Sequence, residues 1–207
     1  MAGGPGRPEP ASGTKRVGVF GGTFDPPHVG HLIVARDAAE TLGLDGVVLV
    51  PAARPPHKTS THATSADLRL AMVNATVADD PILSVLAIEL ARPGPSYTVD
   101  TLRQLKVENP AAELFLLIGA DQWRQLGTWK EPEQIGVLAT ISVMAREGED
   151  PETVDLGLGL TYQRVPVTRL DISSTEVRSR VREGRSIRYL VPRQVEEIIR
   201  SNQLYGA

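Results

Sequence analysis

Short unbroken apolar runs alternate along the chain with longer stretches in which apolar residues recur every three or four positions. Arg16–Phe20 (RVGVF), Val47–Val50 (VVLV), Glu113–Ile118 (ELFLLI) and Thr140–Met144 (TISVM) are clear runs, and Ile82–Ile88 and Arg164–Val167 are weaker ones. Apolar runs without polar alternation belong to strands buried on both faces. Between them, Val29–Leu42 carries a helical stripe at Leu32, Ile33, Ala35, Arg36 and Ala39, closed by Gly43. Ser65 is placed to cap a helix over Ala66–Ala78, and Thr98 to cap one over Val99–Val107. A short helical stretch leads to Gly127, another helix starts at Pro132, and Ser173–Glu183 and Pro192–Ser201 end the pattern. Strands alternating with helices predict an α/β fold, a doubly wound parallel sheet covered on both faces. Residues 16–207 read as one domain, with 168–207 as a small C-terminal helical extension. Residues 1–15 are rich in Gly, Pro and Ala and are expected to form a disordered tail. The proline-rich stretch from Pro51 reads as a loop, as do the acidic residues 147–161.

The segment Gly21-Gly22-Thr23-Phe24-Asp25-Pro26-Pro27-His28-Val29-Gly30-His31 carries the most chemistry. It leaves the first strand and opens a helix, where doubly wound folds bind nucleotides. Gly21 and Gly22 let the backbone approach phosphate oxygens. The helix start offers free N–H groups and a positive dipole end. His28 and His31, three residues apart, face the same side of a helix. Each imidazole can donate to a phosphoryl oxygen, as can the Thr23 hydroxyl. Taken singly, a glycine pair is an ordinary tight turn and a histidine pair an ordinary cap.

Other candidates follow the remaining strands. Lys58, in Pro55-Pro56-His57-Lys58, can carry an ammonium to a triphosphate, although a lone loop lysine is more often simply solvated. Ser96-Tyr97-Thr98-Val99-Asp100-Thr101-Leu102 opens a helix whose first amides can hold a carboxylate. Asp121, in the segment Gly119–Trp123, is placed to bond a ribose hydroxyl. Trp129, before Lys130, is a stacking platform for an aromatic ring. Trp123 reads as core. In Ile172-Ser173-Ser174-Thr175-Glu176-Val177-Arg178, a serine caps a helix and Glu176 completes a capping box with Ser173. The same hydroxyls with Arg178 form an anion trap.

Composition narrows the field. There is no cysteine, which excludes disulfides, thiolate catalysis and zinc sites built on Cys. Net charge is −3, which does not favour a nucleic-acid partner. The C-terminal third differs: from Arg164 to Arg200 there are nine arginines and five acids, suiting a small anionic ligand or a salt-bridged helical face. No stretch approaches the ~20 apolar residues of a membrane span. No apolar signal-peptide core is seen, and the cytoplasm is the expected compartment.

With these motifs in view, the chain resembles the bacterial nicotinate-mononucleotide adenylyltransferases of the nucleotidylyltransferase superfamily. GGTFDPPHVGH (21–31), PPHK (55–58), SYTVDTL (96–102), GADQWRQLGTWK (119–130) and ISSTEVR (172–178) carry the resemblance, which runs from Arg16 to about Leu204. It implies a Rossmann-like nucleotidylyltransferase fold and adenylyl transfer from ATP to nicotinate mononucleotide in NAD biosynthesis. It implies that Thr23, His28 and His31 contact the ATP phosphates and that Lys58 and Arg178 neutralise them. Gly21, Gly22, Phe24, Gly30, Gly119, Ile172, Ser173, Ser174 and Thr175 would complete the ATP site. Trp129 would stack on the pyridine, with Tyr97, Thr98, Lys58 and Lys130 around the acceptor. Asp121 would bind ribose or water. Mg²⁺ would arrive bound mainly through the ATP phosphates, without a protein metal site, and a homo-oligomer is possible. The first and last motifs are shared with sister adenylyl- and cytidylyltransferases, for example one with a phosphopantetheine acceptor. A non-catalytic nucleotide-binding module is the reading from another class.

Overall fold

The computed structural model describes residues 14–53, 64–92, 94–145 and 157–206. In chain order they form β1 (Arg16–Gly22), α1 (Val29–Leu42), β2 (Gly46–Pro51), α2 (Ala66–Val77), β3 (Leu83–Val85) and α3 (Thr98–Glu108). Next come β4 (Glu113–Gly119), α4 (Ala120–Gln125), α5 (Pro132–Leu138), β5 (Thr140–Ala145), β6 (Gln163–Pro166), α6 (Ser174–Arg182) and α7 (Arg193–Ser201). Single 3-10 turns stand at Leu126–Thr128 and Leu204–Gly206.

All strand pairs are parallel, in the order β3-β2-β1-β4-β5-β6. The expected doubly wound sheet is therefore present. Strand order reverses between β1 and β4, which opens a crevice beyond their carboxyl ends. Residues alternate across the sheet. Leu114, Leu116 and Ile118 of β4 pack with α3, α4 and α5 on one face. Phe115 and Leu117 pack with α1 and α2 on the other. A third cluster, Met72, Val177, Ile187, Val191, Val195 and Ile199, joins α6 and α7 to α2. Among the described residues no helix is long and apolar enough to cross a membrane.

Several local expectations need correction. β3 stops at Val85, short of the expected Ile88, because the chain turns back at Ala87, whose carbonyl accepts from the Leu90 and Ala91 N–H groups. The cap of α3 is Tyr97, in extended backbone, and Thr98 is the first helical residue. The Ser65 cap is as expected, accepting from the Leu68 N–H at 3.4 Å. Lys15 does not belong to the tail, since its carbonyl accepts from the Glu113 N–H at 2.8 Å. Residues 1–13 lie outside the described residues, as does most of the acidic stretch at 147–161. The end of that stretch is not wholly surface: Leu160 packs on the core. Just beyond it, the Tyr162 ring lies 4.7 Å from that of the buried Trp123.

Candidate active site

The crevice beyond β1 and β4 holds a cavity of about 540 Å³, within the range of small-molecule sites. Its floor is the ends of β1, β2 and β4, and its walls include the turn after β1, Glu89 after β3, the N-terminus of α3, and the segment from α4 to Trp129 and Lys130.

The turn after β1 is built around Phe24. Its ring is buried and meets Phe20 edge-on at 5.7 Å and His31 edge-on at 5.0 Å. Phe24 adopts φ 50, and a Cβ at Gly22 would fall 2.8 Å from its ring, so only glycine fits there. At Gly30 a Cβ would lie 2.9 Å from His28 Nδ1. That glycine makes room for the first histidine ring.

His28 caps α1 and its ring packs 3.8 Å from the His31 ring. The two rings are together, but they do not share one role. His31 lines the cavity, whereas the His28 ring is buried outside the cavity wall. His31 Nδ1 accepts from the His28 backbone N–H at 3.1 Å. In a neutral ring the proton must then sit on Nε2, which makes that nitrogen a donor. The His31 ring lies between the rings of His28 and Phe24. Burial, helped by the charge of His28, pushes its pKa down to about 3. Burial lowers His28 to about 4.

These shifts predict a pH dependence of stability. Both folded values lie below the ordinary 6.5, so the unfolded chain takes up protons first as pH falls. Stability is complete above about pH 6.5 and declines as pH drops toward 4 and 3. The melting temperature should therefore fall across this window, and a His28→Gln/His31→Gln double variant should show a shallower fall. Equal slopes in the two proteins would mean that these rings titrate normally.

The start of α1 offers fewer free amides than the sequence suggests. The Val29 N–H donates to the Leu190 carbonyl, and the His31 N–H to the His28 carbonyl, both at 2.9 Å. The start of α3 is different. Among the described residues the Thr98 and Val99 N–H groups have no partner, and Tyr97 and Thr98 line the cavity. Opposite stands Trp129, half-buried, placed by the turn whose Leu126 carbonyl accepts its N–H at 3.0 Å. Lys130 also lines the cavity, but its ammonium is engaged. It bonds Asp100 at 3.0 Å and lies 4.8 Å over the Tyr97 ring.

The α6 motif reaches the site through the turn after β1. Ser173 caps α6, accepting from the Glu176 N–H at 3.1 Å. The expected reciprocal half of a capping box gives way to a Glu176–Arg180 pair at 3.7 Å. Ser174 donates to the Pro26 carbonyl at 2.8 Å, and Arg178 donates to the Asp25 carbonyl at 2.7 Å and to Thr175. These groups brace the turn and stand outside the cavity lining, as do Ile172, Gly30 and Gly119. Asp121 is not brought to the cavity. Its exposed side chain pairs with Arg124 at 2.6 Å, while Gln122 and Gln125 line the wall instead. Lys58 lies outside the described residues.

The comparisons with known proteins decide the family. Residues 19–180 match the cytidylyltransferase-like family model. Two curated relatives, each named probable nicotinate-nucleotide adenylyltransferase, come from Thermus thermophilus and Exiguobacterium sibiricum. They are 48% and 46% identical, each over 92% of this chain and 99% of its own. The chain belongs to the nicotinate-nucleotide adenylyltransferase family. A solved structure, Plasmodium falciparum nicotinic acid mononucleotide adenylyltransferase complexed with NaAD, shares the fold of this family member. Its TM-score is 0.76 at 18% identity, covering 92% of this chain and 97% of that one.

Three further residues of this nicotinate-nucleotide adenylyltransferase family member escape the sequence reading. Arg69, only 3% exposed, donates to the carbonyls of Thr23, Ala52, Ala53 and Thr64 at 2.7–3.3 Å. It had a signal: an arginine on the stripe Arg69, Met72, Val73, Thr76, Val77 sits on a buried helical face. Tyr205 donates to Asp25 Oδ1 at 2.5 Å and accepts from the Thr64 hydroxyl at 3.3 Å, fastening the C-terminal turn to the site. Glu89 lines the cavity while 7% exposed, and no local pattern marks it.

Proposed function

We propose that the chain transfers the adenylyl group of ATP to nicotinate mononucleotide, releasing pyrophosphate and forming nicotinate adenine dinucleotide. One observation carries this reading: a single cavity is lined by a neutral His31 whose Nε2 is a donor, by Thr98 at the amide-bearing start of α3, and by Trp129. Phosphate donors at one wall and an aromatic platform with anion-binding amides at another match a nucleotide and an acidic pyridine.

The chemistry needs positioning and charge stabilisation more than proton transfer. A phosphomonoester is largely dianionic near neutral pH, its second pKa being about 6, so the acceptor phosphate attacks the α-phosphorus without a general base. The new P–O bond forms as the bond to pyrophosphate breaks. His31, kept neutral, donates a hydrogen bond to the oxygens where charge gathers and returns no proton to solvent. His28 supports it by donating its backbone N–H to His31 Nδ1. We assign Thr23 beside His31 to the phosphates, with Gly21 and Gly22 lining the path. Ser174 and Arg178 act through the turn they brace.

ATP is taken here as its magnesium complex. Among the described residues no group of three or more His, Asp and Glu could hold a metal ion. The cavity's carboxyl group, Glu89, is already bonded by Thr101. The donor set therefore suits an ion carried on phosphate oxygens and water.

At the acceptor end, Trp129→Ala should raise the KM for nicotinate mononucleotide about fivefold, from loss of a stacking contact worth ~1 kcal/mol. The KM for ATP should stay within about twofold. An effect on ATP alone would move the ring to the other substrate. The function itself is tested by pyrophosphate release from ATP with nicotinate mononucleotide, its amide analogue or phosphopantetheine. Release with the first in excess of the others is expected. Release only with phosphopantetheine would make the chain a sister transferase, and no release with any acceptor would leave a binding module.

A further inference from the structure

One carboxyl group in the cavity wall takes no part in the transfer chemistry. Glu89 lies in the turn that follows β3, and its Oε1 accepts from the Thr101 hydroxyl at 2.8 Å. Both residues are buried, at 7% and 2% exposure, so the bond is shielded from water. Thr101 closes the first turn of α3, the turn that supplies the free Thr98 and Val99 amides.

That turn is held from two sides. On the outer side Asp100 bonds Lys130 at 3.0 Å and pairs with Arg103, which bonds Glu131 in turn. On the inner side Glu89 holds Thr101. Bonds on both flanks restrain this turn, the buried one to Glu89 more firmly than the part-exposed ion pairs. Burial raises the pKa of Glu89, against the pull of the Thr101 and Ser96 hydroxyls and the Arg92 charge. A carboxyl group shifted toward its neutral form repels an anionic acceptor less than an ordinary carboxylate would.

Resting on the proposed adenylyl transfer to an acidic pyridine nucleotide, we propose that Glu89 is a positioning residue that fixes the first turn of α3 and so sets the preference for an acceptor bearing a carboxylate. Glu89 touches neither reacting phosphate. Its effect reaches the acceptor through the Thr98 and Val99 amides at the start of α3, N–H donors that bond a charged carboxylate more strongly than a neutral carboxamide.

The test compares wild type with Thr101→Val, Glu89→Leu and Glu89→Gln in steady-state pyrophosphate release, varying ATP, nicotinate mononucleotide and the amide analogue separately. Thr101→Val and Glu89→Leu should each raise the KM for the acid acceptor about tenfold, with kcat and the KM for ATP within about twofold. The acid-over-amide ratio of kcat/KM should drop by about the same tenfold factor. Glu89→Gln keeps an oxygen acceptor for Thr101 and should stay close to wild type. The Glu89→Leu/Thr101→Val double variant should be no worse than either single, since both delete one bond. Should Glu89→Leu fold poorly, Thr101→Val decides, because it changes only a hydroxyl for a methyl. Equal loss toward acid and amide, or an unchanged acid KM in Thr101→Val, would overturn the role of Glu89 while adenylyl transfer stood. A wild-type protein inactive with every pyridine acceptor would overturn both readings together.

Discussion

His31→Ala should lower kcat about 10²–10³-fold, the loss expected when one preorganised donor to developing charge is removed. The melting temperature should fall by a few degrees while the fold survives, because the ring packs 3.8 Å from His28 and 5.0 Å from Phe24 and accepts from the His28 N–H at 3.1 Å. The two substitutions by amides separate the nitrogens. Glutamine reaches roughly as far as Nε2 and should recover part of the rate. Asparagine reaches only as far as Nδ1, can replace the bond to His28 N–H, and should not. Similar rates for alanine, asparagine and glutamine would deny the Nε2 donor any part in the reaction.

Arg69→Met should be strongly destabilising. The methionine fills much of the volume but leaves four carbonyls, those of Thr23, Ala52, Ala53 and Thr64, without their donor. Hydrogen bonds to a charged group are worth about 1.5–3 kcal/mol each, and the four residues are half-buried, so water recovers part of that sum. A total loss of about 3 kcal/mol or more follows, or roughly 6–12 °C in melting temperature for a domain of this size. Because the same guanidinium ties the turn after β1 to the chain after β2, the KM for ATP should rise as well. A Tm within about 2 °C of wild type would show that water replaces the guanidinium without cost.

The sheet was legible in the sequence because its strands are short, apolar and bounded by turn residues. VVLV and ELFLLI cannot face water on either side, and their alternation with helical stripes leaves few topologies. The turn after β1 was legible because glycines and histidines were packed into eleven residues between a strand and a helix. What the sequence could not show was how side chains divide labour inside that turn. His28 and His31 look equivalent by spacing, yet one backbone N–H fixes the tautomer of the second and burial removes the first from the cavity. Asp121 looked like a ligand because it follows β4, but α4 starts at once and turns it outward to Arg124. Arg178 looked like a phosphate clamp by charge, and the fold spends it on the Asp25 carbonyl. Glu89 and Tyr205 act through contacts 12 and 180 residues away along the chain, beyond the reach of any local pattern.

The most direct measurement is the ¹⁵N spectrum of the His31 ring near neutral pH, before and after saturation with a non-hydrolysable ATP analogue. The free protein should show a neutral ring protonated on Nε2, and the analogue should shift the Nε2–H signal while Nδ1 keeps its bond to His28. A ring protonated on Nδ1, or an Nε2–H signal unmoved by bound analogue, would contradict the account.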